Sequence, residues 1–291
     1  MIERVTVLGA GTMGRGIAQV AAMAGLWVVM HDLTDGILQD ALKTIRANMA
    51  KAVEKGKLEV RSLDAALNKI AFGTDLDECV KGSEFIFESI VEEADAKKNL
   101  FRRLDVLCPA EVIFASNTSA LSITELAGVT ARPERVIGSH FFNPVHLMPL
   151  VEIIRGLQSS AKTVEMTTGL IERMKKEIVV INDSPGFVTS RINVLIGNEA
   201  FYMLQEGIAS PRDIDKALQL GLHHPMGPFE LVDLVGLDIR LSVLKDLHSR
   251  LGEKFRPCPL LVKYVNAGRL GKKVGIGVYE YQDGKMKGVC S

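Results

Sequence analysis

The feature that most constrains the fold is a glycine motif near the start of the chain. The segment G-A-G-T-M-G at residues 9–14 follows an apolar stretch, residues 4–8, that predicts a β-strand. It also opens a small-residue stretch, residues 12–25, that predicts a helix. In this context the glycines allow a tight turn, so a pyrophosphate can approach the helix N-terminus closely. A plain glycine-rich turn is the alternative. The residues that we expect to bind the dinucleotide are Gly9, Gly11, Thr12, Met13 and Gly14.

An acidic residue follows the next predicted strand. The apolar stretch 26–31 ends at Asp32, where a carboxylate can bind the ribose hydroxyls of a dinucleotide. A carboxylate there also repels a 2′-phosphate, so the motif predicts NAD rather than NADP. The other interpretation of Asp32 is an ordinary surface residue.

Strand-like and helical segments alternate through the first part of the chain. Further apolar stretches lie at residues 69–73, 84–88, 112–116, 135–139 and 177–181, and helical stretches such as 94–107 and 162–175 lie between them. This alternation predicts an α/β fold, a Rossmann-type doubly wound and mostly parallel sheet.

The pattern changes at residues 182–186, where Asn-Asp-Ser-Pro-Gly reads as a linker. Beyond it we predict helices over residues 187–206, from Ser210 onward, over 227–251 and over 259–267. We therefore expect a dinucleotide-binding domain at 1–183 and an all-α domain at 187–291. The apolar helix after the linker suits either a homodimer interface or a core within its own domain.

Composition and charge exclude several classes of function. Thirty-five basic residues balance thirty-five acidic ones, so no bulk attraction to nucleic acid or to an anionic membrane is expected. No apolar run approaches the roughly 18 residues that span a bilayer. The first strand begins by Arg4, which leaves no room for a signal peptide, so we expect a cytoplasmic protein.

Neither a metal centre nor a disulfide framework is expected. His223 and His224 are adjacent, but no third ligand lies at helical or hairpin spacing. The cysteines form no C-x-x-C pair and are expected as free thiols: Cys79, Cys108, Cys258 and Cys290.

A histidine and a glutamate flank a predicted reversal of the chain. Residues 139–152 contain an Asn-Pro turn signal before a short apolar strand. If the chain reverses about His146, His140 and Glu152 become cross-strand partners, with Cβ atoms about 5 Å apart. A histidine oriented by a carboxylate is suited to proton transfer near neutral pH. The alternative is a histidine at a strand end and a glutamate satisfied elsewhere.

Small polar residues follow the strand predicted at 112–116. The carboxyl end of such a strand is where ligands bind in a doubly wound sheet. Asn117 and Ser119 can therefore hydrogen-bond a substrate oxygen, although a structural turn or helix cap is also open.

The motifs together resemble the 3-hydroxyacyl-CoA dehydrogenase family, and most closely its short bacterial 3-hydroxybutyryl-CoA dehydrogenases. The resemblance runs almost end to end and rests on G-A-G-T-M-G, S-N-T-S, H-F-F-N-P, D-S-P-G-F and H-P-M-G-P, in that order. It implies NAD-dependent oxidation of an (S)-3-hydroxyacyl-CoA to a 3-oxoacyl-CoA. It also implies a helical domain that pairs two subunits and an active site between the domains.

The resemblance also implies individual roles. His140 would be the catalytic acid and base, Glu152 its partner, Ser119 a ligand of the reacting oxygen, and Asn117 a neighbour of the nicotinamide. Glu92 and Lys97 match cofactor positions, although by pattern alone both charges read as a solvated helix face.

The resemblance also concerns residues that would bind the substrate. Lys55 matches a basic position near the CoA phosphates, and Lys51 would add to the positive charge there. The alternative is that both lysines simply favour the C-terminus of a helix. Ser190 precedes Arg191 where the family usually has Asn, so we expect a weaker or water-bridged substrate contact.

Two rival functions are a dehydrogenase of a non-CoA hydroxy acid or sugar acid, and a non-catalytic NAD-binding protein.

Overall fold

The computed structural model describes residues 1–289, and Cys290 lies outside them. The chain forms two compact units, Met1–Ser184 and Pro185–Ser291, so the division falls inside the predicted linker. Within the described residues, no helix is long and apolar enough to cross a membrane.

The first unit is built on one eight-stranded sheet. Its strands are β1 Arg4–Leu8, β2 Trp27–His31, β3 Ile70–Gly73, β4 Phe85–Glu88, β5 Ile113–Ser116, β6 Val136–Phe141, β7 Leu150–Arg155 and β8 Glu177–Asn182. The order is β3-β2-β1-β4-β5-β6-β7-β8, with parallel pairing throughout except between β6 and β7. The prediction of a Rossmann-type, mostly parallel sheet is confirmed. The order reverses at β1, between β2 and β4, the position where such sheets bind ligands.

Helices cover the sheet of the first unit. They are α1 Thr12–Met23, α2 Asp35–Glu54, α3 Val60–Leu67, α4 Leu76–Cys79, α5 Ala94–Leu107, α6 Ile123–Ala127 and α7 Ala161–Arg173. Central strands such as F-I-F-E in β4 are buried along their whole length, because helices shield both faces of a parallel sheet. Several helices begin at a side-chain cap; the hydroxyl of Ser160, for example, accepts a hydrogen bond from the backbone N–H of Thr163 at 3.1 Å.

The second unit is mainly helical, as predicted. Its helices are α8 Thr189–Gln205, α9 Pro211–Gly221, α10 Pro228–Val235, α11 Leu237–Leu251 and α12 Pro259–Asn266. The single helix predicted over 227–251 is wrong. Gly236 has φ +111°, and the N–H of Leu237 donates to the carbonyl of Leu270 instead of continuing the helix.

A two-stranded hairpin, β9 Tyr279–Gln282 and β10 Lys285–Val289, follows the last helix, where only helices were expected. The carboxylate of Asp233 holds this hairpin, because it accepts hydrogen bonds from the N–H groups of Val278 and Tyr279, each at 2.9 Å. It also accepts one from the hydroxyl of Tyr281 at 3.0 Å. Burial raises the pKa of Asp233.

Candidate active site

The glycine motif forms the turn between β1 and α1. Gly9 has φ +93°, and a Cβ there would lie 2.4 Å from the carbonyl oxygen of Ser89. At Gly14 a Cβ would lie 1.7 Å from the carbonyl oxygen of Gly9, whereas at Gly11 no atom lies within 4 Å. Gly11 is the N-cap of α1 and has no side chain to occupy the first N–H groups of the helix. The turn therefore combines a close-packed backbone with open space beside a helix N-terminus, where an anion can bind.

Asp32 lies immediately after β2 and is held by two backbone groups. Its carboxylate accepts hydrogen bonds from the N–H of Ala10 and from the N–H of Leu33, each at 2.7 Å. Asp32, Gly9 and Gly11 line a cavity of about 1160 Å³. The lining also includes apolar side chains, namely Leu33, Ile37, Leu76, Val91 and Leu100.

The S-N-T-S segment lies beside the ends of β4 and β6. The side-chain amide of Asn117 donates to the hydroxyl of Ser89 at 3.3 Å, and its oxygen accepts from the N–H of Phe141 at 2.9 Å. The N–H of Ser119 donates to Oε1 of Glu92 at 2.9 Å. Ser119 is exposed, whereas Asn117 is buried. Asn117 therefore connects the end of β5 to the strand that carries His140.

A buried ion pair lies beneath this segment. Nζ of Lys97 lies 2.5 Å from Oε1 of Glu88 and 3.3 Å from Oε2 of Glu92, and both Lys97 and Glu88 have 0% exposure. The hydroxyl of Ser116 donates to the other oxygen of Glu88 at 2.5 Å. The interpretation of Lys97 as part of a solvated helix face is wrong, because packing of α5 against the sheet encloses it.

Sequence reasoning did not single out Glu88. The sequence pattern that could have identified Glu88 is an acidic residue at the end of an apolar strand. Glu88 ends β4, just as Asp32 follows β2. Glu88 neutralises Lys97, and Lys97 in turn orients Glu92, which binds the N–H of Ser119.

His140 and Glu152 are paired across the antiparallel strands β6 and β7. The register places His140 opposite Glu152, and Nδ1 lies 2.8 Å from Oε2. His140 is 6% exposed and Glu152 is 0% exposed. The ring of Phe142 packs on the imidazole, with centroids 4.6 Å apart. The predicted cross-strand contact is therefore present, and the imidazole is fixed on one edge by a carboxylate and on one face by an aromatic ring.

The remaining predicted residues lie apart from this cluster in the chain. Lys51 and Lys55 are exposed in the last turn and at the C-cap of α2, and both interpretations of these lysines stay open. Ser190 lies in the first turn of α8, in the second unit, and is half-buried.

Comparison with known protein families identifies both units. Residues 4–184 match the model of the 3-hydroxyacyl-CoA dehydrogenase NAD binding domain, and residues 186–281 match the model of the C-terminal domain of the same enzymes. The chain belongs to the 3-hydroxyacyl-CoA dehydrogenase family. It is an NAD-dependent dehydrogenase, and the glycine turn, the space beside Gly11 and the carboxylate of Asp32 fit NAD.

Individual 3-hydroxyacyl-CoA dehydrogenases are similar over nearly the whole chain. The probable 3-hydroxybutyryl-CoA dehydrogenase of Bacillus subtilis is 47% identical, over 97% of this chain and 98% of that one. The mitochondrial hydroxyacyl-coenzyme A dehydrogenase of Homo sapiens is 40% identical, over 97% and 92%. The solved structure of (S)-3-hydroxybutyryl-CoA dehydrogenase from Ralstonia eutropha gives a TM-score of 0.95 at 43% identity, over 97% of this chain and 100% of that one.

Proposed function

We propose that this enzyme catalyses the reversible NAD-dependent oxidation of (S)-3-hydroxybutyryl-CoA to acetoacetyl-CoA. The observation that carries the proposal is the buried His140–Glu152 pair at 2.8 Å, at the end of β6. Because β6 runs parallel to β1, β2 and β5, that end lies at the same edge of the sheet as the glycine turn and Asp32. The names of the Bacillus and Ralstonia relatives support the short acyl chain.

His140 moves the proton in this mechanism. Nδ1 faces the carboxylate of Glu152 and carries a proton, so Nε2 takes the proton of the C3 hydroxyl during oxidation. The chemistry that NAD supplies when bound is acceptance of the hydride from C3. Glu152 fixes the orientation of the ring and stabilises the imidazolium that forms. In the reverse direction the imidazolium returns its proton to the oxygen of the 3-oxo group.

The neighbouring polar residues have supporting roles in the proposal. The exposed hydroxyl of Ser119 hydrogen-bonds the reacting oxygen, and Asn117 positions the nicotinamide. Glu92 contributes to the cofactor site, and the buried Lys97 acts there through its ion pair with Glu92 rather than from a solvated surface.

Substrate binding beyond the reacting carbon involves Lys51 and Lys55, whose ammonium groups attract the CoA phosphates. The short hydroxyl of Ser190 makes a weaker or water-bridged contact than the family's usual Asn. We expect Ser190→Asn to lower the KM for acetoacetyl-CoA, as measured by steady-state kinetics. Unchanged rate and affinity would show that this position does not contribute.

We further propose that the enzyme is a cytoplasmic homodimer that acts in fatty acid and butanoate metabolism. Val188 and Ile192, four residues apart around the start of α8, are more than half exposed at 52% and 55%. A second copy would bury these apolar side chains. Sedimentation equilibrium should give a particle of twice the chain mass, and a particle of single mass would contradict the dimer.

Replacing the histidine tests the function. We expect His140→Gln to abolish reduction of acetoacetyl-CoA while NADH still binds, because the cofactor cavity is unchanged. His248→Gln is the matched control, since His248 also pairs with a glutamate but lies on the surface of α11. Near-wild-type activity of His140→Gln would remove His140 from the mechanism.

The substrate class is tested separately. The proposal requires acetoacetyl-CoA, and not free acetoacetate, to consume NADH. Consumption with free acetoacetate would favour the rival dehydrogenase of a non-CoA hydroxy acid. A series of acyl-CoA substrates of increasing length then measures the chain-length preference.

A further inference from the structure

The loop of residues 142–149 joins the two strands that carry His140 and Glu152. Within the loop, the N–H groups of Leu147 and Met148 both donate to the carbonyl of Pro144 at 2.9 Å. These bonds close a local turn, but they do not attach the loop to the rest of the sheet. What attaches the loop therefore decides how firmly the two strand ends are held.

Lys176 makes this attachment. Its Nζ donates to the carbonyl oxygen of Val145 at 2.5 Å and to the carbonyl oxygen of Met148 at 2.8 Å. Lys176 directly precedes β8, and the N–H of Glu177 donates to the carbonyl of Pro149 at 2.9 Å. Lys176 thus bonds both halves of the loop from the position just before β8, the strand that pairs with β7.

The same loop also packs on the helix that follows the glycine motif. Val145 is 2% exposed, and a Cβ at Gly16 of α1 would lie 2.8 Å from its Cβ. The carbonyl that Lys176 holds belongs to this valine. The loop therefore connects the cofactor-binding helix to the strands that carry the imidazole and the carboxylate.

Lys176 is half-buried, and the pKa values around it reflect this. Burial lowers the pKa of Lys176. The pKa of His146, in the same loop, is lowered by burial and then by the charge of Lys176. A lysine that served only to offset the dipole at the end of α7 would have no need to reach two carbonyls of another loop.

We propose that Lys176 is a positioning residue for catalysis. Its ammonium group holds the loop so that His140 and Glu152 keep their register and His140 stays at a fixed place relative to α1. The proposal rests on the proposed function of the pair. Small displacements of a catalytic group have large effects on rate, and an error of 1 Å can cost about a hundredfold.

The test compares Lys176→Met, which keeps the aliphatic chain and removes the donors, with Lys175→Met at the exposed neighbouring lysine. We expect Lys176→Met to lower kcat for acetoacetyl-CoA reduction by about tenfold or more, with less than about a twofold change in the Kd of NADH. Hydrogen exchange of the amides in 142–149 should become faster. Lys175→Met should match the wild type, and Lys176→Arg should recover part of the lost kcat, because it restores a charged donor.

Several results would overturn the inference. The first is an unchanged kcat in Lys176→Met, and the second is a loss of kcat in Lys176→Arg as large as that in Lys176→Met. The last is faster amide hydrogen exchange across the whole first unit together with weaker NADH binding. The last result would mean that Lys176 serves stability alone. If the wild-type enzyme fails to reduce acetoacetyl-CoA, the proposed function fails, while hydrogen exchange still decides whether Lys176 holds the loop.

Discussion

Replacing Glu152 by glutamine isolates the charge of the carboxylate that faces the imidazole of His140. Glutamine has nearly the same size and still offers an oxygen to Nδ1 of His140, so packing and orientation are largely kept. The carboxylate lies 2.8 Å from Nδ1 and is fully buried. Its charge matters most when the imidazolium forms, because that state is the one it attracts.

The magnitude follows from Coulomb's law. With charge centres about 4 Å apart and an effective dielectric constant of about 20, the attraction is about 4 kcal/mol. Each ~1.4 kcal/mol of transition-state stabilisation is a factor of ten in rate. We therefore expect Glu152→Gln to lower kcat by about a thousandfold.

The assay is steady-state reduction of NAD by (S)-3-hydroxybutyryl-CoA, the direction in which the imidazolium forms, with NADH affinity and thermal unfolding measured on the same samples. Glu253→Gln is the control, because Glu253 pairs with His248 at 3.1 Å on the surface, and we expect its kcat to stay at the wild-type value. A loss of less than about tenfold in a folded, NADH-binding Glu152→Gln enzyme would refute the electrostatic argument.

The further predictions concern the first unit. Gly14→Ala should lose the native fold or NADH binding, because its Cβ would lie 1.7 Å from a backbone oxygen. Gly11→Ala should instead keep its thermal stability and weaken only NADH binding; wild-type NADH affinity in Gly11→Ala would show that the cofactor does not approach there. Lys97→Met should lower the free energy of unfolding in urea by about 3–5 kcal/mol, because Glu88 is left buried and unpaired. The double variant Lys97→Met/Glu88→Gln should lose less free energy of unfolding than Lys97→Met alone. A loss equal to the sum of the losses in the two single variants would argue against the ion pair. Lys175→Gly should raise the free energy of unfolding by about 0.5–1 kcal/mol, since Lys175 has φ +58° and glycine removes the strain of that backbone; a loss of stability would contradict this.

The sequence alone determined the features that depend on neighbouring residues. The glycine motif between a strand and a helix gave the tight turn between β1 and α1, and Asp32 fell where the next strand ends. The spacing of His140 and Glu152 about a turn signal gave their pairing, because side chains across a hairpin meet at positions set by the turn. The alternation of short apolar stretches with helices gave the class of the sheet.

Only the tertiary structure decided the contacts between distant segments. Lys176 lies 31 residues from Val145 in the chain, and no local pattern indicates that its ammonium group reaches that carbonyl. Lys97 reads as a surface lysine until packing of α5 encloses it with Glu88. The break at Gly236 likewise depends on a carbonyl from beyond α12, at Leu270. Local patterns determine which helix or strand forms, because helix propensity and turn chemistry act over a few residues. The partner of a buried charge depends instead on which helices and strands pack together.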